Sequence, residues 1–236
     1  MKTFNKIKMK KILSIILMLS LSQSFGQESA TEFANFDRYA AQNAALAPVK
    51  ATEDRVVFMG NSITEGWINA RPAFFETNPY IDRGISGQTT SQMLLRFRRD
   101  VIDLNPKVVV FLAGINDIAE NTGPIALEDV FGNIISMVEL AQANDIKPVI
   151  CSVLPANNFP WRPSIKPAEK VIELNKLLKQ YAEKNELVYV DYFTAMVNDQ
   201  NGLSPELAHD GVHPTVKGYA IMEPLVKEGI QKALKK

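Results

Sequence analysis

The sequence predicts an α/β fold: a three-layer α/β/α sandwich whose middle layer is a five-stranded parallel sheet. Short β-branched runs alternate with longer helical patterns from residue 55 to the C-terminus, which is the order strand, crossover helix, strand. One run, VVVFL at 108–112, is continuously apolar, as a strand covered by helices on both faces must be. No repeat, low-complexity tract or second linker interrupts the alternation, so one domain accounts for residues 51–236.

At 46% hydrophobic and 22% charged, the 236-residue chain is too apolar for disorder and can bury a sizeable core. Its first 26 residues differ from the rest. Lys2, Lys6, Lys8, Lys10 and Lys11 precede an apolar run at 12–21 with no acidic residue among them, and Ser24-Phe25-Gly26 offers small residues for cleavage before Gln27. That is the layout of a secretory signal peptide over 1–26, and the run is shorter than the roughly 20 residues that span a bilayer. The chain is therefore expected to be exported, periplasmic or secreted, without a stable membrane anchor. Its only cysteine, Cys151, can neither carry a lipid near the cleavage point nor form an intramolecular disulfide. Loss of the leader takes five of the 26 Lys+Arg and none of the 26 Asp+Glu, and the resulting acidic excess argues against nucleic acid or anionic membrane as partners. The oligomeric state is not legible in the sequence.

Residues 27–50 form a polar, alanine-rich lead-in, with a helix expected over 34–47 ahead of Pro48. Strands are expected at 55–59, 80–83, 108–112, 147–152 and 187–190, and helices at 90–104, 124–143, 165–185 and 215–234. Right-handed crossovers between them give a doubly wound, flavodoxin-like sheet, in which ligands bind beyond the carboxyl ends of the strands.

Four glycine-marked polar segments fall at that edge. They are Gly60-Asn61-Ser62-Ile63-Thr64, Gly84-Ile85-Ser86-Gly87-Gln88, Gly114-Ile115-Asn116-Asp117 and, near the C-terminus, Asp210-Gly211-Val212-His213-Pro214. A serine hydroxyl becomes nucleophilic when an imidazole takes its proton, and the imidazole needs a carboxylate to fix its tautomer and stabilise the imidazolium. Asp210 and His213 can supply both from one turn. The tetrahedral intermediate needs donors for its oxyanion, for which the backbone N–H groups of Ser62 and Gly87 and the side-chain amide of Asn116 are candidates.

Each segment also has a plainer reading. Asn61-Ser62 after a strand is a helix-cap signal, Gly84 and Gly87 suit turns, and Asp117 and Asp191 suit caps. His209 competes with His213 as base, but only His213 follows an aspartate by three residues and precedes a proline. Asp191 is an alternative orienting acid. Trp67 reads as core. The 155–167 loop, with Phe159, Trp161 and Arg162, follows the fourth strand and should overhang the site, so that Trp161 and Arg162, with Asn61, are candidate substrate contacts.

The four segments, in order, resemble the four consensus blocks of the SGNH (GDSL-like) hydrolase family across nearly the whole mature chain. The resemblance implies a serine nucleophile at Ser62, oxyanion donors at Gly87 and Asn116, and a triad completed by Asp210 and His213, with no metal or other cofactor. The stretch Ser152-Val153-Leu154-Pro155 and the helix around Asn175-Lys176-Leu177-Leu178 are similar to the catalytic subunits of intracellular platelet-activating-factor acetylhydrolases, which implies short acyl groups. Two departures stand out: Asn61 replaces the usual aspartate of Gly-Asp-Ser, and Gln88 replaces that of Ser-Gly-Asp. Both remove a carboxylate beside the nucleophile, which should alter substrate choice and the electrostatics around His213. The expected function is a serine esterase for short-chain, acetyl-type esters, on small molecules or carbohydrate. Its rivals are a lysophospholipase or thioesterase for longer chains and a non-catalytic glycan-binding module.

Overall fold

Five parallel strands, β1 (Val56–Gly60), β2 (Tyr80–Gly84), β3 (Val108–Leu112), β4 (Lys147–Cys151) and β5 (Val188–Val190), pair in the order β2-β1-β3-β4-β5. The expected sheet is thus present, with each strand within two residues of its expected bounds. The computed structural model describes residues 29–236, so the leader expected over 1–26 lies outside the described residues. Within that span, Ala34–Lys236 packs as one unit. No helix among the described residues is long and apolar enough to cross a membrane.

The helices are α1 (Ala40–Ala45), α2 (Ser62–Ala70), α3 (Thr90–Asp100), α4 (Leu127–Gln142), α5 (Ala168–Lys184) and α6 (Val216–Leu234), with shorter turns between them. α3, α4 and α5 pack side by side on one face of the sheet, while α2 and α6 meet on the other. On the second face Trp67 is 1% exposed, stacked at 5.1 Å on Phe74 and 5.3 Å on Tyr219, with Phe58 of β1 edge-on. Trp67 is core, as the sequence suggested.

Several boundaries differ from expectation. The helix expected over 90–104 stops at Asp100; Val101 turns away and Ile102–Leu104 closes as a 3₁₀ turn before Asn105 enters the left-handed region at φ 48. α4 starts at Leu127, past Pro124. The lead-in is helical only at Ala40–Ala45 within the unit, because Asn35 takes φ 53, a conformation that interrupts a helix.

Because strand order reverses between β1 and its two neighbours, the chain leaving β1 runs to one side and the chain leaving β3 to the other, opening a crevice at the carboxyl edge. Gly84 ends β2 against the start of α2, where an added Cβ would lie 2.2 Å from the Glu65 backbone nitrogen and 2.7 Å from the Asn61 carbonyl. Only glycine allows that approach.

The ends of β1 and β2 are held from beneath by Arg96 of α3, which is fully buried. Its Nη2 donates to the carbonyls of Gly60 (3.1 Å) and Arg83 (2.9 Å), its Nη1 to Asp100 Oδ2 (2.9 Å) and its Nε to Gln88 Oε1 (2.5 Å). Removing the guanidinium strands a buried carboxylate and two carbonyls. Arg96→Leu should therefore lose about 3 to 5 kcal/mol in urea denaturation, whereas Lys107→Ala, which breaks an exposed pair with Asp54, should lose less than about 1.

Candidate active site

The crevice is built from the segments that leave β1, β2 and β3. After β1, the Asn61 side chain accepts a hydrogen bond from the Ile63 N–H (3.0 Å) and so caps α2. Ser62 becomes the first residue of that helix, where backbone N–H groups have no partner within the helix. Its Oγ lies 2.8 Å from His213 Nε2, although the two residues are 151 positions apart in sequence.

His213 is oriented by its own turn. Asp210 Oδ1 accepts from the N–H groups of Val212 (3.0 Å) and His213 (2.8 Å), and Asp210 Oδ2 lies 2.7 Å from His213 Nδ1. With the Nδ1 proton directed at the carboxylate, Nε2 is left to accept from the Ser62 hydroxyl. Burial pushes the Asp210 pKa up, but these hydrogen bonds from His213 and Val212 outweigh it and hold the carboxyl below its ordinary value. His209 is exposed, and Asp191 caps a separate turn by accepting from Thr194 N–H (2.9 Å), so neither joins the pair.

The other two loops are fastened to each other. Asn116, 6% exposed, donates through Nδ2 to the Gln88 carbonyl (2.9 Å), which leaves its second N–H available. Asp117 accepts from the Thr90 N–H (3.0 Å) and Thr90 Oγ1 (2.6 Å), capping α3 from outside, and burial pushes its pKa up to about 6. Gly87 takes φ 79, which other residues adopt only at a cost of about 1 kcal/mol or more, although a Cβ there would meet nothing within 4 Å. The need for glycine is conformational.

Two expectations need correction. Asn61 is 1% exposed; its Oδ1 caps α2 and its Nδ2 is buried without a hydrogen-bond partner, so the side chain faces the protein interior and not an open substrate site. Gln88 does not line the pocket either: it is 3% exposed, accepts from Arg96 and donates to the Ala34 carbonyl (2.9 Å). The pairing with Arg96 places it under the strand ends.

Of the loop residues, Trp161 is 45% exposed, stacks on buried Phe159 at 5.3 Å and places its ring 6.1 Å from that of His213. Arg162 sits partly buried, its backbone N–H donating to the Phe159 carbonyl (2.9 Å). Sequence reasoning missed Glu65. One turn beyond Ser62, it accepts from the Ser86 N–H (2.9 Å) and hydroxyl and from Arg38 Nη2 (2.8 Å), tying α2 to both the Gly87 loop and the lead-in. The available signal was its place in the first turn of a capped helix.

A groove of about 830 Å³ opens beside Ser62 and His213, lined by α2, by residues 80–83 of the edge strand and by the lead-in from Arg38 to Leu46. Among the described residues no group of three or more His, Cys, Asp or Glu side chains is placed to hold a metal ion.

Residues 58–221, spanning the segments after all five strands, match the GDSL-like Lipase/Acylhydrolase family. The chain belongs to that family. This acylhydrolase is 56% identical to a GDSL-like lipase of known structure from Bacteroides thetaiotaomicron, with a TM-score of 0.84 over 86% of this chain and 100% of that one. It is 30% identical over 120 residues, 44% of its length, to the uncharacterized lipoprotein YqeF of Bacillus subtilis, and the match spans only 49% of that lipoprotein. It is 26% identical over 152 residues to an acetylxylan esterase of Geobacillus stearothermophilus, covering 60% of this chain and 67% of that one. An acylhydrolase of this family is a hydrolytic enzyme acting on esters, and the crevice just described holds the groups such chemistry uses.

One group lining the groove has an unusual charge state. Burial pushes the Asp82 carboxyl up to about 7, even though its Oδ1 accepts from Gly84 N–H (2.7 Å); its Oδ2 has no hydrogen-bond partner. The folded chain therefore holds a proton that an unfolded aspartate releases near about 3.9, and stability falls as pH rises between those values. Asp82→Asn keeps an acceptor for Gly84 and cannot ionise. It should exceed the native chain by about 2 to 4 kcal/mol at about pH 8 and match it at about pH 4, read from urea midpoints; equal differences at both pH values would contradict this.

Proposed function

We propose that this acylhydrolase is an exported serine esterase that removes short acyl groups, acetyl foremost, from carbohydrate through an acyl-enzyme. The observation that carries the reading is the relay in which Ser62 Oγ, His213 and Asp210 are linked at 2.8 and 2.7 Å. His213 takes the Ser62 proton as Oγ attacks the ester carbonyl. The Ser62 and Gly87 N–H groups and the Asn116 amide receive the oxyanion, and one such donor can lower the barrier by about 3 to 4 kcal/mol. His213 then gives its proton to the leaving alcohol. Water enters, His213 takes one of its protons, and collapse of the second intermediate frees the carboxylic acid and restores Ser62.

The acetyl preference draws support from the acetylxylan esterase relative and from the charged groove, whose Arg38, Glu65 and Arg83 are poor company for an alkyl chain. The carbohydrate reading also draws on Trp161, an exposed ring beside His213 of the kind that stacks on sugar faces. Export is supported by the basic, then apolar, composition of residues 1–26.

Ser62→Ala and His213→Ala should each lower kcat on p-nitrophenyl acetate by about 10⁴-fold or more, and Ser62→Ala should abolish labelling by a fluorophosphonate. Unchanged labelling would remove Ser62 from the mechanism. Across p-nitrophenyl esters, kcat/KM should fall from acetate to octanoate; a steady rise with chain length would replace the acetylesterase reading by one for longer acyl groups.

A further inference from the structure

The groove beside Ser62 owes one wall to residues that precede the family match. The match begins at residue 58, whereas Arg38, Tyr39, Gln42 and Leu46 line the groove together with α2. This wall is firmly anchored. Tyr39 donates its hydroxyl proton to the Gly84 carbonyl, and the Arg83 guanidinium lies 4.6 Å from the Tyr39 ring centroid. Asn43 accepts from Arg83 Nε (2.8 Å) and donates to Asp100 Oδ1 (2.8 Å), while Arg38 pairs with Glu65 (2.8 Å). The segment is thus bound to β2, α3 and α2 at once.

We propose that residues 38–46 make this groove a binding site for an extended, hydroxyl-rich chain, an oligosaccharide that presents its acetyl group to Ser62, and thereby favour acetylated oligomers over acetylated single sugars. The assignment rests on the carbohydrate esterase reading above. Three observations carry it. First, the leaving alcohol must come within hydrogen-bond reach of His213, and His213 lines the groove together with Ser62. Second, about 830 Å³ lies toward the upper end of ligand sites, which run from about 300 to 1,000 Å³, and far exceeds the needs of an acetyl group. Third, the lining is mixed. Exposed Gln42 and Asn69 offer donors and acceptors to hydroxyl groups, and Ile68, 39% exposed, with Tyr80 offers apolar surface to the C–H faces of sugar rings. A fatty acyl chain would leave those polar groups without partners, whereas a sugar chain satisfies both kinds of surface.

The test compares kcat/KM on acetylated xylotriose with that on acetylated xylose, in the native protein and in Gln42→Trp and Asn69→Trp, which fill the groove from the lead-in and from α2. Both positions are exposed, and the one side-chain bond either makes is a long contact from Asn69 Nδ2 to the Glu65 carbonyl (3.5 Å). The native enzyme should favour the trisaccharide by about tenfold or more, and each tryptophan should bring the ratio close to one. A native ratio near one, or a ratio that neither tryptophan changes, overturns the groove assignment while leaving the carbohydrate reading intact. Hydrolysis of p-nitrophenyl acetate with no cleavage of either acetylated sugar overturns the carbohydrate reading and the groove assignment with it.

Discussion

A single buried guanidinium holds the functional edge of this sheet together. Arg96 bonds the terminal carbonyl of β1 at Gly60 and the carbonyl of Arg83 in β2, and its charge is answered by Asp100 one turn along the same helix. Burial pushes the Arg96 pKa down, and the neighbouring Asp100 opposes that shift. A buried charge tolerates no slack, because any displacement leaves either the carboxylate or a carbonyl without its partner. The positions at which the chain leaves β1 and β2 are therefore set relative to each other and to α3, and the loops bearing Ser62 and Gly87 start from those positions.

From that base the crevice is assembled by groups that each satisfy a local backbone need. Asn61 caps α2 and thereby puts Ser62 in its first turn; Asp117 caps α3 and draws the loop after β3 against the loop after β2; Asn116 takes up the Gln88 carbonyl. The Asp210 carboxylate closes its own turn with one oxygen and meets His213 with the other. Capping and site geometry are thus one set of interactions. Preorganisation of this kind keeps donors aimed where charge develops, with little rearrangement left for the reaction itself.

Glu65 and the lead-in extend the same logic outward. The carboxylate of Glu65 is drawn down in pKa by Ser86 and Arg38 despite its burial, so it stays ionised while bridging α2, the Gly87 loop and residue 38. A segment that composition marks only as polar and alanine-rich thereby becomes a wall of the groove that contains Ser62. Its anchors are side chains reaching 27 to 57 residues along the chain.

What was legible in the sequence was whatever local chemistry decides. Apolar β-branched runs placed four of the five strands, glycine-marked segments located the ends of the first three, and the Asp210 to His213 spacing marked a turn that could orient an imidazole. The break after Asp100, the short α1 and the duties of Asn61 and Gln88 were not legible, because each depends on what lies across the fold: β-strand ends, a buried arginine, or another helix. By itself, then, the sequence determined the layer order, the strand ends and the residue types gathered there, since hydrophobic period and turn chemistry act over a few residues. Tertiary structure alone decided that Ser62 meets His213 at 2.8 Å, that Glu65 ties the lead-in to the Gly87 loop, and that a groove opens beside them. Those contacts arise from packing between distant segments, and no spacing along the chain encodes a distance through space.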